Sequence, residues 1–107
     1  MGQNITGWIE MRIKALKNFE VVVQHGEILQ EGNFFNENLR SALQEFHFIS
    51  DGKESVVHPH FTFYGFRYAK LKKWDGPVNI EDFVGCVVYS DLEIIGNLKT
   101  GIPLVNN

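Results

Sequence analysis

The 107-residue sequence contains a single cysteine, Cys86. One thiol cannot form an intrachain disulfide, and the paired Cys-x-x-Cys motifs of zinc ribbons and thioredoxin-like sites are absent. No apolar run approaches the roughly 20 residues of a transmembrane helix, and the amino terminus lacks the charged and apolar regions of a signal peptide. These absences predict a cytoplasmic protein that does not enter a membrane, with Cys86 as a small buried hydrophobe among valines.

An excess of basic charge is also missing. The net charge is −3 and the isoelectric point is about 5.7, so the chain lacks a field that would attract phosphate, and general nucleic-acid binding is disfavoured. The motifs G-x-S-x-G, G-x-G-x-x-G, H-E-x-x-H and the P-loop do not occur. Serine hydrolysis and phosphate cradling therefore have no support in the sequence, and we expect no cofactor.

Apolar and aromatic residues are plentiful. They make up 44% and 13% of the chain, with nine phenylalanines, a composition that can build a hydrophobic core. The length suits one core but not two. We therefore expect one folded domain over residues 1–107.

Two strands and a helix are predicted in the first half. Apolar and polar residues alternate from Ile5 to Ile13, and valines dominate residues 19–25. Both segments are therefore predicted to be strands, paired as an antiparallel hairpin. Residues 33–46 carry apolar side chains at three- and four-residue steps after a capping Asn33, which predicts a helix packed on one face of the hairpin. The apolar stripe consists of Phe35, Leu39, Ala42, Leu43 and Phe46.

The second half is predicted to be mainly β. Residues 56–68 alternate rings with polar groups and predict a central strand, and Asn79 is placed to cap a short helical turn through Phe83. Residues 80–95 fit either strand or helix, with strand favoured for 86–89 and 92–95. The tail from residue 96 onwards predicts an extended edge or a mobile segment. The expected fold class is α+β, a small antiparallel sheet with one main helix on one face.

The segment His58-Pro59-His60 is a candidate metal site. Imidazoles and carboxylates are the usual ligands of zinc and iron, and Asp51 lies upstream as a third ligand, with His47 as the alternative to it. The simpler interpretation is that the two histidines occupy a strand entry and bond locally. Metal binding by His58, His60 and Asp51 remains an alternative hypothesis.

Tyr64, Arg67 and Tyr68 are a candidate ligand site. Aromatic rings beside a guanidinium are suited to stacking on bases, so these residues predict a pocket for a small nucleotide or another small molecule. A second protein surface covering the rings explains the same aromatic excess.

The amino terminus resembles that of a group of small phage and bacterial proteins of unknown function. Those proteins begin Met-Gly-Cys-Asp-Ile-His, and the resemblance here is carried by Met1-Gly2-Gln3-Asn4-Ile5-Thr6 and the aromatic, apolar and acidic residues that follow. It implies a phage or mobile-element origin and a hairpin start. Because Gln3, Asn4 and Thr6 replace the group's Cys, Asp and His, it implies no activity.

The leading functional hypothesis is a non-enzymatic interaction module of phage or mobile-element type. It would assemble as a homo-oligomer or bind a host protein, because aromatic and β-rich surface is plentiful while polar clusters are sparse. The alternatives are a small metal-dependent enzyme that uses His58 and His60, and a protein that sequesters nucleotides.

Overall fold

The computed structural model describes residues 1–106 and contains nine β-strands. Within that range, three short 3-10 turns are the only helical structure. The strands are β1 (Ile5–Ile13), β2 (Glu20–Gly26), β3 (Ile28–Gln30), β4 (Asn33–Phe35), β5 (Glu45–Ile49), β6 (Ser55–Val57), β7 (Tyr64–Phe66), β8 (Tyr68–Lys73) and β9 (Phe83–Val87). The 3-10 turns span Glu37–Leu39, Ile80–Asp82 and Pro103–Val105.

The first sheet is built around β1, the longest strand. One edge of β1 pairs with β7 near its start and with β6 near its end, and the other edge pairs with β9, all antiparallel. The alternation in β1 decides which face is buried, because successive side chains of a strand point to opposite sides. Ile9, Met11 and Ile13 are buried, whereas Trp8 and Arg12 lie on the outer face.

The second sheet has the order β5-β2-β8, again antiparallel. Its central strand β2 directs Val21 and Val23 into the core, and a register shift between Val22 and Val23 interrupts the pairing with β8. Strands β3 and β4 form a separate hairpin. Its two-residue turn is Glu31-Gly32, with φ of 52° and 80°, a left-handed pair that suits a tight hairpin.

The two sheets pack face to face as a β-sandwich. Ile9, Met11 and Ile13 of the first sheet meet Val21 and Val23 of the second in one core, which Phe66 and Ala15 complete. Burying each of the larger side chains contributes about 1.5–3 kcal/mol relative to leaving it in water. The fold therefore depends on apolar contact between the sheets.

The predicted strands β1 and β2 are confirmed, but the predicted hairpin between them is wrong. They belong to different sheets, and the segment between them crosses from one sheet to the other. Ala15 in this segment is only 7% exposed, and its carbonyl oxygen accepts a hydrogen bond of 3.0 Å from Ser50 Oγ. A connection packed into the core in this way cannot serve as a tight exposed turn.

The predicted helix over residues 33–46 and the α+β fold class are wrong. The segment instead holds β4, a 3-10 turn and the start of β5. Arg40 has a left-handed φ of 58°, which interrupts a helix, and Leu43 of the supposed apolar stripe is 72% exposed. At its end, Phe46 and Phe48 pack on the core while His47 points outward, a period of two rather than 3.6.

The predictions for the second half of the chain are confirmed only in part. The single strand predicted over 56–68 is divided between β6, β7 and the start of β8, with residues 58–63 outside any strand. The turn capped by Asn79 is confirmed, since its side chain accepts a hydrogen bond of 3.3 Å from the Glu81 amide. Residues 83–87 form a strand, whereas residues 92–95 have no regular structure. No helix in residues 1–106 has the length and apolar character required to cross a membrane.

Gly7 provides a test of the β1–β9 pairing. A Cβ atom at Gly7 would lie 1.8 Å from the Cys86 carbonyl oxygen on β9. Backbone atoms cannot yield as a flexible side chain does, so we expect Gly7→Ala to lower the free energy of unfolding by about 3 kcal/mol. Gly96→Ala is the control, because nothing lies within 4 Å of that position. Equal urea midpoints for the two variants would show that the strands do not approach closely at Gly7.

Candidate functional site

The outer face of the first sheet is interrupted by a loop. β6 leaves β1 after the pair Met11–Val57 and β7 joins it at the pair Gly7–Tyr64, so residues 58–63 lie outside the sheet's pairing. On that edge of β1, residues 8–10 have no strand partner. The loop therefore lies beside Trp8, and it contains the predicted histidine pair.

Four rings form a continuous series on this face, here called the aromatic ledge: Trp8, His58, His60 and Phe61. The Trp8 and His58 rings are stacked, with centroids 5.5 Å apart and planes at 20°. The His58 and His60 centroids are 4.6 Å apart, and those of His60 and Phe61 6.2 Å. The ledge begins half-buried at Trp8 and ends in solvent at Phe61.

Phe61 is unusual in both backbone and side chain. Its φ of 60° places a bulky residue in the left-handed region, and its side chain is fully exposed, at 107%. Such a conformation costs of order 1–3 kcal/mol, and exposure of the ring forgoes the burial that normally stabilises phenylalanine. Neither the strained backbone nor the exposed ring stabilises the isolated chain. Phe61 is therefore a candidate contact residue.

The structure brings His58 and His60 together but does not add Asp51 to them. Over residues 1–106, no three His, Cys, Asp or Glu side chains are grouped closely enough to hold a metal ion. His58 Nδ1 lies 2.9 Å from the Pro59 carbonyl oxygen, while the Asp51 carboxylate accepts a hydrogen bond of 2.9 Å from the Lys53 amide in the turn after β5. Metal binding by these residues remains an untested prediction.

The predicted ligand residues are divided between two places. The Tyr64 hydroxyl donates a 3.1 Å hydrogen bond to the Glu45 carbonyl oxygen, and its ring stacks on His25 with centroids 4.1 Å apart. Arg67 and Tyr68 instead line a cleft of about 430 Å³ between β8 and β9, with the guanidinium 5.6 Å from the Tyr68 ring centroid. Tyr64 is not among the cleft's lining residues. Nucleotide binding there also remains a prediction.

A polar network that the sequence did not predict lies on the outer face of the second sheet. His47 lies between two carboxylates, 2.9 Å from Glu20 and 3.0 Å from Glu45. Two lysines of β8 complete the network, with Lys72 3.1 Å from Glu45 and Lys73 bonded to Glu20. The only sequence signal was in β5, where Glu45 and His47 alternate with the core-facing Phe46 and Phe48. Their proximity depends on the order β5-β2-β8, which the sequence does not reveal.

The network shifts the pKa values of its members. Burial raises the pKa of the Glu45 carboxyl, but hydrogen bonds from the surrounding amide, imidazole and ammonium groups outweigh burial and lower the pKa from 4.5 to about 2. Hydrogen bonds from Lys73 and His47 lower the pKa of Glu20, and those to Glu20 and Glu45 raise the pKa of His47. The hydrogen bonds and ion pairs of this network connect all three strands of the second sheet.

Glu45 is expected to make the sheet sensitive to acid. Because its pKa falls on folding, its contribution to stability is complete above pH 4.5 and is lost as the pH falls towards 2. Glu45→Gln should therefore lower the unfolding free energy at neutral pH by about 1–3 kcal/mol and reduce its change below pH 4.5. Urea unfolding across this range measures the effect. The exposed Glu54→Gln is the control, and an unchanged acid slope in Glu45→Gln would contradict the assignment.

Cys86 and the residues that follow it lie outside the core. Cys86 pairs with Trp8 and is half-buried, so the predicted core thiol is wrong. Beyond β9, residues 88–105 contain no strand and end in the 3-10 turn Pro103–Val105; they are here called the apolar tail. Ile94 and Ile95 are 90% and 92% exposed. The other exposed apolar residues of the tail are Val88, Tyr89, Leu92, Leu98, Ile102, Leu104 and Val105.

Known proteins are similar to this chain in sequence and in fold. The family model of the bacterial alpha-L-rhamnosidase concanavalin-like domain matches residues 1–89. Curated alpha-L-rhamnosidases of Streptomyces avermitilis and Alteromonas sp. are each 29% identical, over 99% and 98% of this chain, which spans 10% and 12% of their lengths.

Crystal structures agree with the sequence matches. Native alpha-L-rhamnosidase from Aspergillus terreus has a region that is 33% identical, with a TM-score of 0.80 over 98% of this chain and 12% of that one. The Streptomyces avermitilis alpha-L-rhamnosidase complexed with L-rhamnose is 29% identical, with a TM-score of 0.84 over 98% of this chain and 10% of that one. The sandwich is therefore the arrangement found in part of these much longer chains.

Two earlier expectations are overturned by these matches. The resemblance of the amino terminus to phage proteins is wrong, because the similarity extends over residues 1–89 to a different family. The hypothesis of a phage-related interaction module is wrong for the same reason. The chain belongs to the bacterial alpha-L-rhamnosidase concanavalin-like domain family.

Proposed function

We propose that the chain serves as a non-catalytic β-sandwich domain of an alpha-L-rhamnosidase and packs against the rest of that enzyme through its apolar tail. The observation that carries this proposal is the exposure of the tail. Soluble monomers rarely expose extended apolar surface, and such surface marks a contact with another body. The relatives are roughly ten times longer than the segment they share with this chain, so they contain enough additional protein to cover it.

The tail is suited to a permanent contact. Its most exposed side chains, Ile94 and Ile95, would each contribute about 1.5–3 kcal/mol on full burial. Branched aliphatic side chains offer no hydrogen bonds to a soluble substrate, so they favour packing against another apolar surface. The tail also follows directly from β9, which is paired to the centre of the first sheet.

The carboxyl groups support a structural role. Glycoside hydrolysis generally requires two carboxyl groups beside the scissile bond, and the group that acts as the acid has a raised pKa. The closest carboxyl groups in the polar network, Glu20 and Glu45, have lowered pKa values and are paired with cations. They cannot donate a proton near neutral pH, whereas they are well suited to cross-linking strands.

Exchange of this segment between homologous proteins tests the proposal. The matching segment of the Streptomyces avermitilis enzyme would be replaced by this chain, and hydrolysis of an aryl alpha-L-rhamnoside measured. We expect activity within about tenfold of the parent enzyme, and none from the 107-residue chain alone. The same exchange in the Aspergillus terreus enzyme guards against misfolding in one host, with circular dichroism and thermal unfolding as checks.

Two results would contradict the proposal. Hydrolysis by the isolated chain would show that it carries catalytic groups of its own. Folded chimaeras of both hosts that had lost activity by far more than tenfold would show that this chain does not fill the place of the matching domain.

A further inference from the structure

We propose that the outer edge of β9 receives an extended strand from the rest of the rhamnosidase polypeptide, and that this strand closes the cleft between β8 and β9. The inference rests on the proposed function and adds a second contact to it, made by backbone hydrogen bonds rather than by the apolar tail. Three features carry it: the outward backbone groups of β9, the open side of the core and an unpaired guanidinium.

The backbone of β9 is bonded on one side only. Just beyond β9, the Val88 amide donates a 2.7 Å hydrogen bond to the Thr6 carbonyl oxygen. Hydrogen-bonded pairs alternate with non-hydrogen-bonded pairs along an antiparallel ladder. The even-numbered residues of β9 therefore bond to β1, whereas the backbone groups of Phe83, Gly85 and Val87 face away from it. No strand within residues 1–106 pairs with that outer edge.

β9 lacks the features that normally protect an edge strand. Natural sheets keep exposed edges from pairing by means of charged side chains, proline, bulges or very short strands. The edge strand β8 contains three lysines, and the edge strand β5 contains Glu45 and His47. β9 instead has five uncharged residues, Phe-Val-Gly-Cys-Val, in regular register with β1. We therefore infer that this edge is covered in the complete enzyme.

The core is open beside this edge. Phe83 packs on the core, and Val87, four residues later in the same strand, points to the same face of the sheet. Val87 is nevertheless 55% exposed. The cleft of about 430 Å³ between β8 and β9 is lined at its base by the core residues Ile9, Val23 and Phe66. An added strand would place every second side chain over this base and complete the sandwich.

The rim of the cleft indicates what the added strand carries. Arg67 lines the cleft and forms no ion pair within residues 1–106, and its guanidinium lies 5.6 Å from the Tyr68 ring centroid. Met1 lies over Gly85 but is itself 53% exposed, so it covers the cleft only in part. The complementary strand therefore has apolar side chains on its inner face and a carboxylate within reach of Arg67.

The length of the relatives favours a strand from the same enzyme. This chain spans 10% and 12% of the Streptomyces avermitilis and Alteromonas sp. relatives, so most of each polypeptide lies outside the matching segment. The tail of this chain leaves from the end of β9 and contains no strand. Another part of the enzyme can supply the strand without a second molecule.

Hydrogen exchange at single residues tests the inference in the isolated chain and in the active chimaera. The outward amides of Gly85 and Val87 should exchange fast in the isolated chain and slow by about a hundredfold or more in the chimaera. The amides of Val84 and Cys86 bond to β1 and should be protected in both proteins. Protection of an outward amide requires an acceptor beyond the edge, which side-chain packing alone does not supply.

Proline substitutions provide a matched pair. Proline removes an N–H group and is tolerated where that group faces solvent at a sheet edge. Val87→Pro removes an outward N–H from β9, and Ile49→Pro removes one from β5, where the Ser50 amide bonds to the Phe19 carbonyl oxygen and leaves that of Ile49 outward. Both should leave the melting temperature of the isolated chain within about 3 °C, and only Val87→Pro should lower that of the chimaera, by on the order of 5 °C. Val87→Ala keeps the N–H and should have a smaller effect.

Three results would overturn the inference. The first is equally fast exchange of the outward amides in the isolated chain and in an active chimaera. The second is slow exchange in the isolated chain that depends on protein concentration, which would assign the edge to a second copy. The third is slow exchange independent of concentration, which would assign it to the chain's own tail. Loss of activity in folded chimaeras contradicts the proposed function instead, so the two failures are distinguishable.

Discussion

His25→Phe is expected to stabilise the sandwich by about 1–3 kcal/mol at neutral pH. His25 is 1% exposed, and its ring stacks on Tyr64 with centroids 4.1 Å apart and meets Phe66 edge-on at 4.8 Å. Among the described residues, neither ring nitrogen of His25 has a hydrogen-bond partner. Phenylalanine keeps the ring contacts and removes two buried polar atoms, so the substitution should be favourable.

The effect of His25→Phe should grow as the pH falls. Burial lowers the pKa of His25 from 6.5 to about 4, and the nearby polar backbone of Gln44 opposes this shift only in part. Below pH 6.5 the unfolded chain binds a proton at this histidine while the folded chain does not, until the pH approaches 4. Stability is therefore complete above pH 6.5 and is lost between 6.5 and 4, by an amount on the order of 3 kcal/mol.

Urea unfolding between pH 4 and 7.5, a range set by the shift in the pKa of His25, measures this contribution. The parent chain should lose stability steeply in that range, and His25→Phe should lose much less. His47→Gln is the control, because the pKa of His47 is raised on folding and its contribution disappears as the pH rises rather than as it falls. Parallel curves for the parent and His25→Phe would show that His25 is not buried in its neutral form.

The double substitution Ile94→Asp/Ile95→Asp is expected to have opposite consequences in two settings. In the isolated chain these positions are 90% and 92% exposed, so the unfolding free energy should change by no more than about 0.5 kcal/mol. In the chimaeric rhamnosidase the same side chains would be buried. Loss of their apolar contact, with two carboxylates in its place, should cost roughly 3–6 kcal/mol.

The melting temperature and aryl-rhamnoside activity of the chimaera measure that cost. Leu43→Asp is the matched control, because Leu43 is 72% exposed but lies in the connection before β5 rather than in the tail. If the chimaera with the double substitution has the same melting temperature and the same activity as the control, the tail is not a contact surface.

The sequence predicted individual strands better than their partners. The alternation in β1 gave its bounds, Ile5–Ile13, and its buried face, because a strand half in water carries its own pattern. The pairing was wrong, since a strand connected to its neighbour by a short polar segment can either form a hairpin or cross to another sheet. The strand pairing and the burial of Ala15 in the core show that this segment crosses to the other sheet.

The helix over residues 33–46 failed for a related reason. Five apolar residues at helical spacing arose where a hairpin strand, a turn and another strand follow one another. Their spacing contains no information on the left-handed Arg40, which ends any helix there. The periodicity of this segment therefore could not predict the fold class.

The site was only partly visible in the sequence. His58 and His60 were identified by their spacing, but their stacking with Trp8 depends on where the loop rejoins β1. The polar network could not be predicted, since Glu20, His47 and Lys73 come from three strands whose order was unknown. Patterns local in sequence were predicted, whereas the contacts between residues of different strands were not.

Hydrogen exchange at the backbone amides of residues 88–105 tests the central claim most directly. The amides would be compared in the isolated chain and in the chimaeric rhamnosidase under identical conditions. We expect fast exchange around Ile94 and Ile95 in the isolated chain and slowing of about a hundredfold or more at the same amides in the chimaera, while β1 and β2 are protected in both. Equally fast exchange of the tail in both proteins would contradict the claim that this sandwich is a domain packed through its tail onto the rest of the enzyme.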